Sequence, residues 1–155
     1  MAIKFIRIDD RLIHGQIVTA WIKSYQAKKV IIVDDLVAQD EFLINVMEMV
    51  KPSGITLDVI STENLAERIE AYESEAVNSI ILVKTPESAK KCFDAGLPLK
   101  ELNVGGMGAK AGRKQIYRNV SASDSEIQTM MEMKAAGIDV YLQATPNDKK
   151  IEVKG

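Results

Sequence analysis

Cysteine and histidine occur once each in the 155 residues, and each scarcity excludes something. Cys92 alone forms no internal disulfide and no multi-cysteine metal site, which fits a chain made for a reducing cytoplasm. His14 alone means that any step needing an imidazole must use that ring or proceed without one. An excess of charge is also missing, since 20 basic residues against 22 acidic ones leave a net charge of −2. That argues against a broad nucleic-acid footprint, although a local basic cluster still suffices for one phosphate. No apolar run approaches the roughly 18 residues of a spanning helix, and no signal pattern opens the chain. A soluble, unprocessed protein without direct membrane insertion is expected.

What is present is the composition of a folded domain, 46% apolar and 27% charged, and residues 1–155 read as a single domain. Strand and helix signals alternate. Residues 3–8 are apolar and β-prone, and residues 16–25 carry Ile17, Val18, Trp21 and Ile22 on one helical face. Residues 29–34 read as a buried strand. A helix over 38–50 has Phe42, Val46, Met49 and Val50 at helical spacing and ends before Pro52-Ser53-Gly54. A strand at 55–60 leads to a helix at 62–73 capped by Ser61 or Thr62. After a strand at 78–83, Pro86 opens a helix that stops at Gly96. Residues 101–104 form a fifth strand running into the glycine segment Gly105-Gly106-Met107-Gly108, and 115–120 are a candidate sixth. Ser123 and Glu126 make a capping box for a helix at 123–136. Residues 138–144 are the closing strand, and the polar tail from Pro146 is placed for an edge pairing. The order predicts an α/β fold, an open and mostly parallel sheet with helices on both faces.

Such a sheet binds ligands beyond the C-terminal ends of its strands. Asp9, Asp10, Arg11 and His14 follow the first strand, Asp34 and Asp35 the second, and Ser61 and Thr62 the third. Lys84 and Thr85 follow the fourth, and Gly105, Gly106 and Gly108 the fifth. One imidazole, nearby cations and a glycine loop suit an anionic ligand. Gly15 and Gln16 lead from His14 into a helix N-terminus. A neutral imidazole there can attack phosphorus while Arg11 and helix N–H groups hold the equatorial oxygens. One of Asp9 and Asp10 orients Arg11 or His14, and the sequence leaves open which. The glycine loop lacks a Walker pattern and serves either as a tight turn or as a phosphate nest. Thr85 also fits a helix cap, Asp34 and Asp35 fit solvated turns, and Trp21 and the methionines fit core filling.

Two families fail on these residues. Histidine phosphatases place Arg-His-Gly at the end of their first strand, which Ile13-His14-Gly15 resembles only superficially, and they need a second histidine; receiver domains need an acceptor Asp and a lysine that are missing here. The run Arg7-Ile8-Asp9-Asp10-Arg11-Leu12-Ile13-His14-Gly15-Gln16-Ile17 closely resembles the signature of the IIB component of the mannose–fructose–sorbose family of the bacterial phosphotransferase system. The likeness continues through Trp21, Val33-Asp34-Asp35, Lys84-Thr85-Pro86 and Asn103-Val104-Gly105-Gly106.

The resemblance implies a sheet of about seven strands with the phosphorylated histidine, matching His14, in the loop after the first. The phosphoryl group would sit on Nδ1, arrive from a phosphohistidine on a IIA partner and leave to a sugar carried by the membrane subunits IIC and IID. Arg7 and Arg11 match phosphate-pocket arginines, and Asp10 an orienting acid. Lys84, Thr85, Gly105 and Gly106 fall at the pocket walls. The resemblance further implies a free-standing IIB subunit, cytoplasmic and peripheral to the transporter, needing no cofactor or metal. The alternative is a regulatory α/β module in which His14 and Arg11 bind an anion or sugar phosphate without turnover.

Overall fold

The computed structural model of the protein describes residues 1–13 and 15–155; His14 lies outside the described residues. In chain order these form β1 (Ile3–Asp9), α1 (Gly15–Ser24), β2 (Ala27–Val33), a 3-10 turn (Val37–Gln39), α2 (Glu41–Val50), β3 (Thr56–Ile60), α3 (Thr62–Glu73), β4 (Asn78–Val83) and α4 (Pro86–Asp94). There follow β5 (Glu101–Gly106), β6 (Lys114–Tyr117), β7 (Val120–Ala122), α5 (Asp124–Ala135), β8 (Asp139–Leu142) and β9 (Ile151–Glu152).

The main sheet of seven strands has the order β3-β2-β4-β1-β5-β8-β9. All neighbours run parallel except β9, which returns antiparallel along β8. Continuous apolar runs in β2 and β4 reflect cover on both sides. Val30, Ile32, Ile80 and Leu82 face a core with Trp21 of α1 and Met47 of α2. Ile31, Val33, Ile81 and Val83 face the opposite core with Leu65 of α3, Cys92 of α4 and Met130 of α5. β1 lies between β4 and β5, so its C-terminal end opens at the centre of the sheet.

Two sequence expectations are corrected by the packing. Residues 115–120 are not a strand of the main sheet. They belong to the antiparallel hairpin β6–β7, whose turn places Asn119 at φ +60°. The seventh strand is instead the tail pairing, β9. On α2 the stripe read from the sequence points outward, with Phe42 79% and Met49 84% exposed. Met47 is the buried residue, with Leu43 and Ile44 packed beside it. This helix is apolar on two faces, and periodicity cannot choose between them. Asp40, whose carboxylate accepts the Leu43 N–H at 3.0 Å, fixes where the helix begins, and packing of Leu43, Ile44 and Met47 against the β2–β4 core fixes the inward face.

The aspartates after β2 serve this architecture. Asp34 accepts the Val37 N–H, and Asp35 accepts both the N–H and the hydroxyl of Thr62. Among the described residues no helix is long and apolar enough to cross a membrane. Cys92 is wholly buried in α4, and burial pushes its thiol up to about 12. Since the thiolate is the reactive form, the native protein at pH 8 should take no label from a maleimide and take one equivalent once unfolded in guanidinium. Labelling of the folded protein at the rate of a free thiol would show that α4 does not pack as described.

Candidate functional site

Where β1 ends, one carboxylate holds two guanidiniums. Asp9, 4% exposed, accepts Arg7 Nε at 3.2 Å and Nη2 at 3.1 Å. It also accepts the Arg11 backbone N–H at 3.1 Å, Arg11 Nε at 2.9 Å and Arg11 Nη2 at 2.8 Å. Arg7 is only 1% exposed and is held further by the Asn103 side chain at 2.6 Å and the Gln143 carbonyl at 2.9 Å. Its guanidinium lies 5.4 Å from the Trp21 ring centroid. The Arg11 side chain, by contrast, is 39% exposed. Arg7 therefore supports the cluster from below, and Arg11 is the arginine at the surface.

The electrostatics follow from burial and pairing. Burial pushes the Asp9 carboxyl up, but the Arg11 hydrogen bonds and the charges of Arg7 and Arg11 outweigh it and hold the group below the ordinary carboxylate range. Burial lowers Arg7, partly offset by Asp9. Arg11 is raised by its hydrogen bonds to Asp9.

This cluster explains the glycines. Gly105 and Gly106 are the last residues of β5 and not a loop, which corrects the sequence expectation. A Cβ on Gly105 would lie 2.0 Å from the Arg7 guanidinium, and one on Gly106 would lie 2.3 Å from Asp9 Oδ1. The absent side chains leave room for an ion pair that crosses the strand. Gly108 does belong to the segment beyond β5, where its N–H donates to Asp10 Oδ2 at 2.7 Å.

The connection from β1 to α1 turns sharply. Leu12 N–H donates to the Asp9 carbonyl at 3.0 Å, and Leu12 sits at φ +56°. A left-handed leucine costs about 1–3 kcal/mol. Leu12 and Ile13 are both buried in the core beneath α1 and α2, and burying each returns roughly 1.5–3 kcal/mol. The side chains thus hold the strained backbone. α1 begins at Gly15, φ +80°, and Gly15 and Gln16 are exposed.

The open question of the two acids is decided for Arg11: Asp9 orients it. Asp10 donates its N–H to the Gly106 carbonyl and accepts from Gly108, tying the two loops together. Lys84 and Thr85 line a 340 Å³ cleft with Asp10, Gly108, Lys110 and Arg113. Thr85 also caps α4, accepting the Ser88 N–H at 3.1 Å. A wider cleft of 560 Å³ adjoins it, lined by Arg11, Asp10, Gly108, Arg113 and Ser121. Asn103, Gln143 and Arg113 were not anticipated. Asn103 carries a signal, being a polar residue within an apolar strand run; Gln143 and Arg113 carry none. His14, the expected phosphoryl carrier, lies outside the described residues. Among those described, no group of three or more His, Cys, Asp and Glu side chains is placed to hold a metal ion.

The sequence matches the family described as the PTS system sorbose subfamily IIB component over residues 3–155. The chain belongs to that family. It is 35% identical over 148 residues to the fructose-specific EIIB component of Bacillus subtilis (strain 168), covering 96% of this chain and 91% of that one. It is 30% identical over 156 residues to the mannose-specific EIIAB component of Escherichia coli (strain K12), covering 99% of this chain but only 47% of that protein. Its fold matches the IIBSor domain of the sorbose permease from Klebsiella pneumoniae with a TM-score of 0.92 at 30% identity, covering 99% and 94% of the two chains.

Two outcomes follow for this IIB fold. Because the Asp9 carboxyl is lowered in the folded state, its contribution to stability is complete above the unfolded value of about 3.9 and is lost as pH falls through the lower folded value. Asp9→Asn should therefore destabilise the protein by about 3–5 kcal/mol at pH 7, leaving Arg7 buried without its partner, and by progressively less below pH 4. Urea denaturation across pH measures this; an equal loss at every pH would contradict it. Gly105→Ala should cost about 3 kcal/mol or more, which a melt below that of the wild type would report.

Proposed function

We propose that this protein is the phosphoryl relay of a sugar phosphotransferase system, with His14 the covalent carrier. The observation that carries the proposal is the Arg7–Asp9–Arg11 cluster: five hydrogen bonds on Asp9 fix a half-exposed guanidinium three residues before His14. The three charges sum to +1, a site prepared for a transferring phosphoryl group.

The donor is a phosphohistidine on a IIA protein, a pairing that the fused mannose-specific EIIAB relative supports. The His14 nitrogen attacks phosphorus in line as the P–N bond to the donor imidazole breaks. The new bond is carried on Nδ1, following the family resemblance. In the second step a sugar hydroxyl, presented by the membrane subunits IIC and IID, attacks the phosphorus. The P–N bond to His14 breaks, the hydroxyl proton is released, and the ring returns to neutral imidazole. Arg11 and the backbone N–H groups of the first turn of α1 stabilise the equatorial oxygens. Arg7, Asp9, Asn103 and Gln143 position Arg11 from below, while Lys84 and Thr85 wall the adjoining cleft. Such a subunit works on the cytoplasmic side, docking with its partners in turn.

Incubation with phosphoenolpyruvate and the upstream relay proteins should place an acid-labile, base-stable phosphate on the chain. His14→Ala should abolish the label, and Arg11→Ala should slow its appearance by about 10²–10³-fold with the fold retained by circular dichroism. Full labelling of His14→Ala would refute the assignment. Tight binding of a sugar phosphate with no label from any donor would instead establish the regulatory module.

A further inference from the structure

Arg113 lies far from the signature run in sequence and beside it in space. Its side chain is 5% exposed and closes a two-pronged pair with Glu126, Nε to Oε1 at 2.8 Å and Nη2 to Oε2 at 2.7 Å. The third prong, Nη1, donates to the Gly108 carbonyl at 2.7 Å. Glu126 is itself fixed, accepting the Ser123 N–H at 2.9 Å in the capping box that starts α5. The N–H of that same Gly108 donates to Asp10. One glycine is therefore gripped on its carbonyl by Arg113 and on its N–H by Asp10. An unbroken series of contacts runs from α5 through Glu126, Arg113 and Gly108 to the loop after β1.

Asp10 is close enough to Arg11 to raise its pKa through its charge. A carboxylate in that place is a competitor. Unless it is occupied elsewhere, it can pair with Arg11 and oppose an approaching phosphoryl dianion by like-charge repulsion. Resting on the relay function proposed above, we propose that Arg113 is a positioning residue for transfer. By clamping Gly108 it keeps the Gly108 N–H on Asp10, so that this carboxylate does not compete with the phosphoryl oxygens for Arg11. Arg113 acts through Gly108 and Asp10 and touches no reacting atom.

The distinguishing test is a comparison of backgrounds. Single-turnover phosphoryl uptake from a phosphorylated IIA protein is measured at several donor concentrations for wild type, Arg113→Gln, Glu126→Gln, Asp10→Asn and the doubles with Asp10→Asn. Folding is checked by thermal melts. In the Asp10-containing chain, Arg113→Gln should lower the saturating rate about tenfold, the scale of one charge-assisted contact, with the half-saturating donor concentration unchanged. In the Asp10→Asn background the same substitution should cost less than about twofold, because a neutral amide no longer competes for the guanidinium. Should Arg113→Gln fail to fold, Glu126→Gln carries the same comparison, since a glutamine keeps the Ser123 contact. An equal cost in both backgrounds, or a change confined to half-saturation, overturns the proposal while the relay function stands. A wild-type chain that takes no phosphoryl group, from a donor shown to be charged, overturns both. Exposed Arg118→Gln serves as the control and should leave the rate unchanged.

Discussion

A single buried carboxylate between two guanidiniums is the constraint on which the site depends. Removing Asp9 and Arg7 from water is costly, and only close geometry with every polar atom satisfied offsets that. The structure meets the demand with partners from several elements: Arg7 from β1, Asn103 from β5, the Gln143 carbonyl just past β8, and Arg11 from the loop. These contacts cross the sheet at the end of β1. A polar network so fully paired gains little stability over an apolar core. It does fix one arrangement, and the Arg11 fork is held before any partner arrives.

The same constraint governs the neighbouring strand. An ion pair lying across β5 requires two residues without side chains, and glycine weakens a strand through backbone entropy and lost packing. The penalty is confined to Gly105 and Gly106, while Leu102 and Val104 beside them are fully buried in the core. A second local cost, the left-handed Leu12, is offset in a similar way by the burial of its own side chain and that of Ile13. Both local costs fall within the turn that contains the signature run or directly against it.

These departures also mark where sequence reasoning stopped. The parallel sheet, its helices on both faces and the edge pairing by the tail were legible because unbroken apolar runs and cap residues act locally. The residues bounding the loop after β1 were legible because the signature is contiguous. The role of Gly105 and Gly106 was not, since a glycine pair reads equally as a turn, and only Arg7 on the adjacent strand shows what the missing side chains accommodate. Nor could the division of labour between Asp9 and Asp10 be read. Alternation along β1 sets Asp9 on the same face as Arg7, but Asp10 and Arg11 lie past the strand end, where the turn at Leu12 and not alternation decides which carboxylate meets Arg11. α2 failed for a different reason, since apolar residues line two of its faces and the periodic signal had no unique direction.

Charge balance ties the site to the work of a relay. A carrier that bound phosphoryl with several uncompensated cations would hold it in a deep electrostatic well and release it slowly. One with none would leave the dianion to repel an incoming nucleophile. Arg7 and Arg11 against Asp9 leave one net positive charge beneath the surface and at it. The adjoining cleft is lined by Asp10, Arg113, Lys84 and Lys110, and the Arg113 charge is balanced by buried Glu126. In the proposed relay, partial neutralisation of this kind would lower the barrier without deepening the intermediate, because such interactions strengthen most when charge spreads over the equatorial oxygens of the transition state. The buried carboxylate that makes Arg11 rigid is thus also what keeps its field moderate.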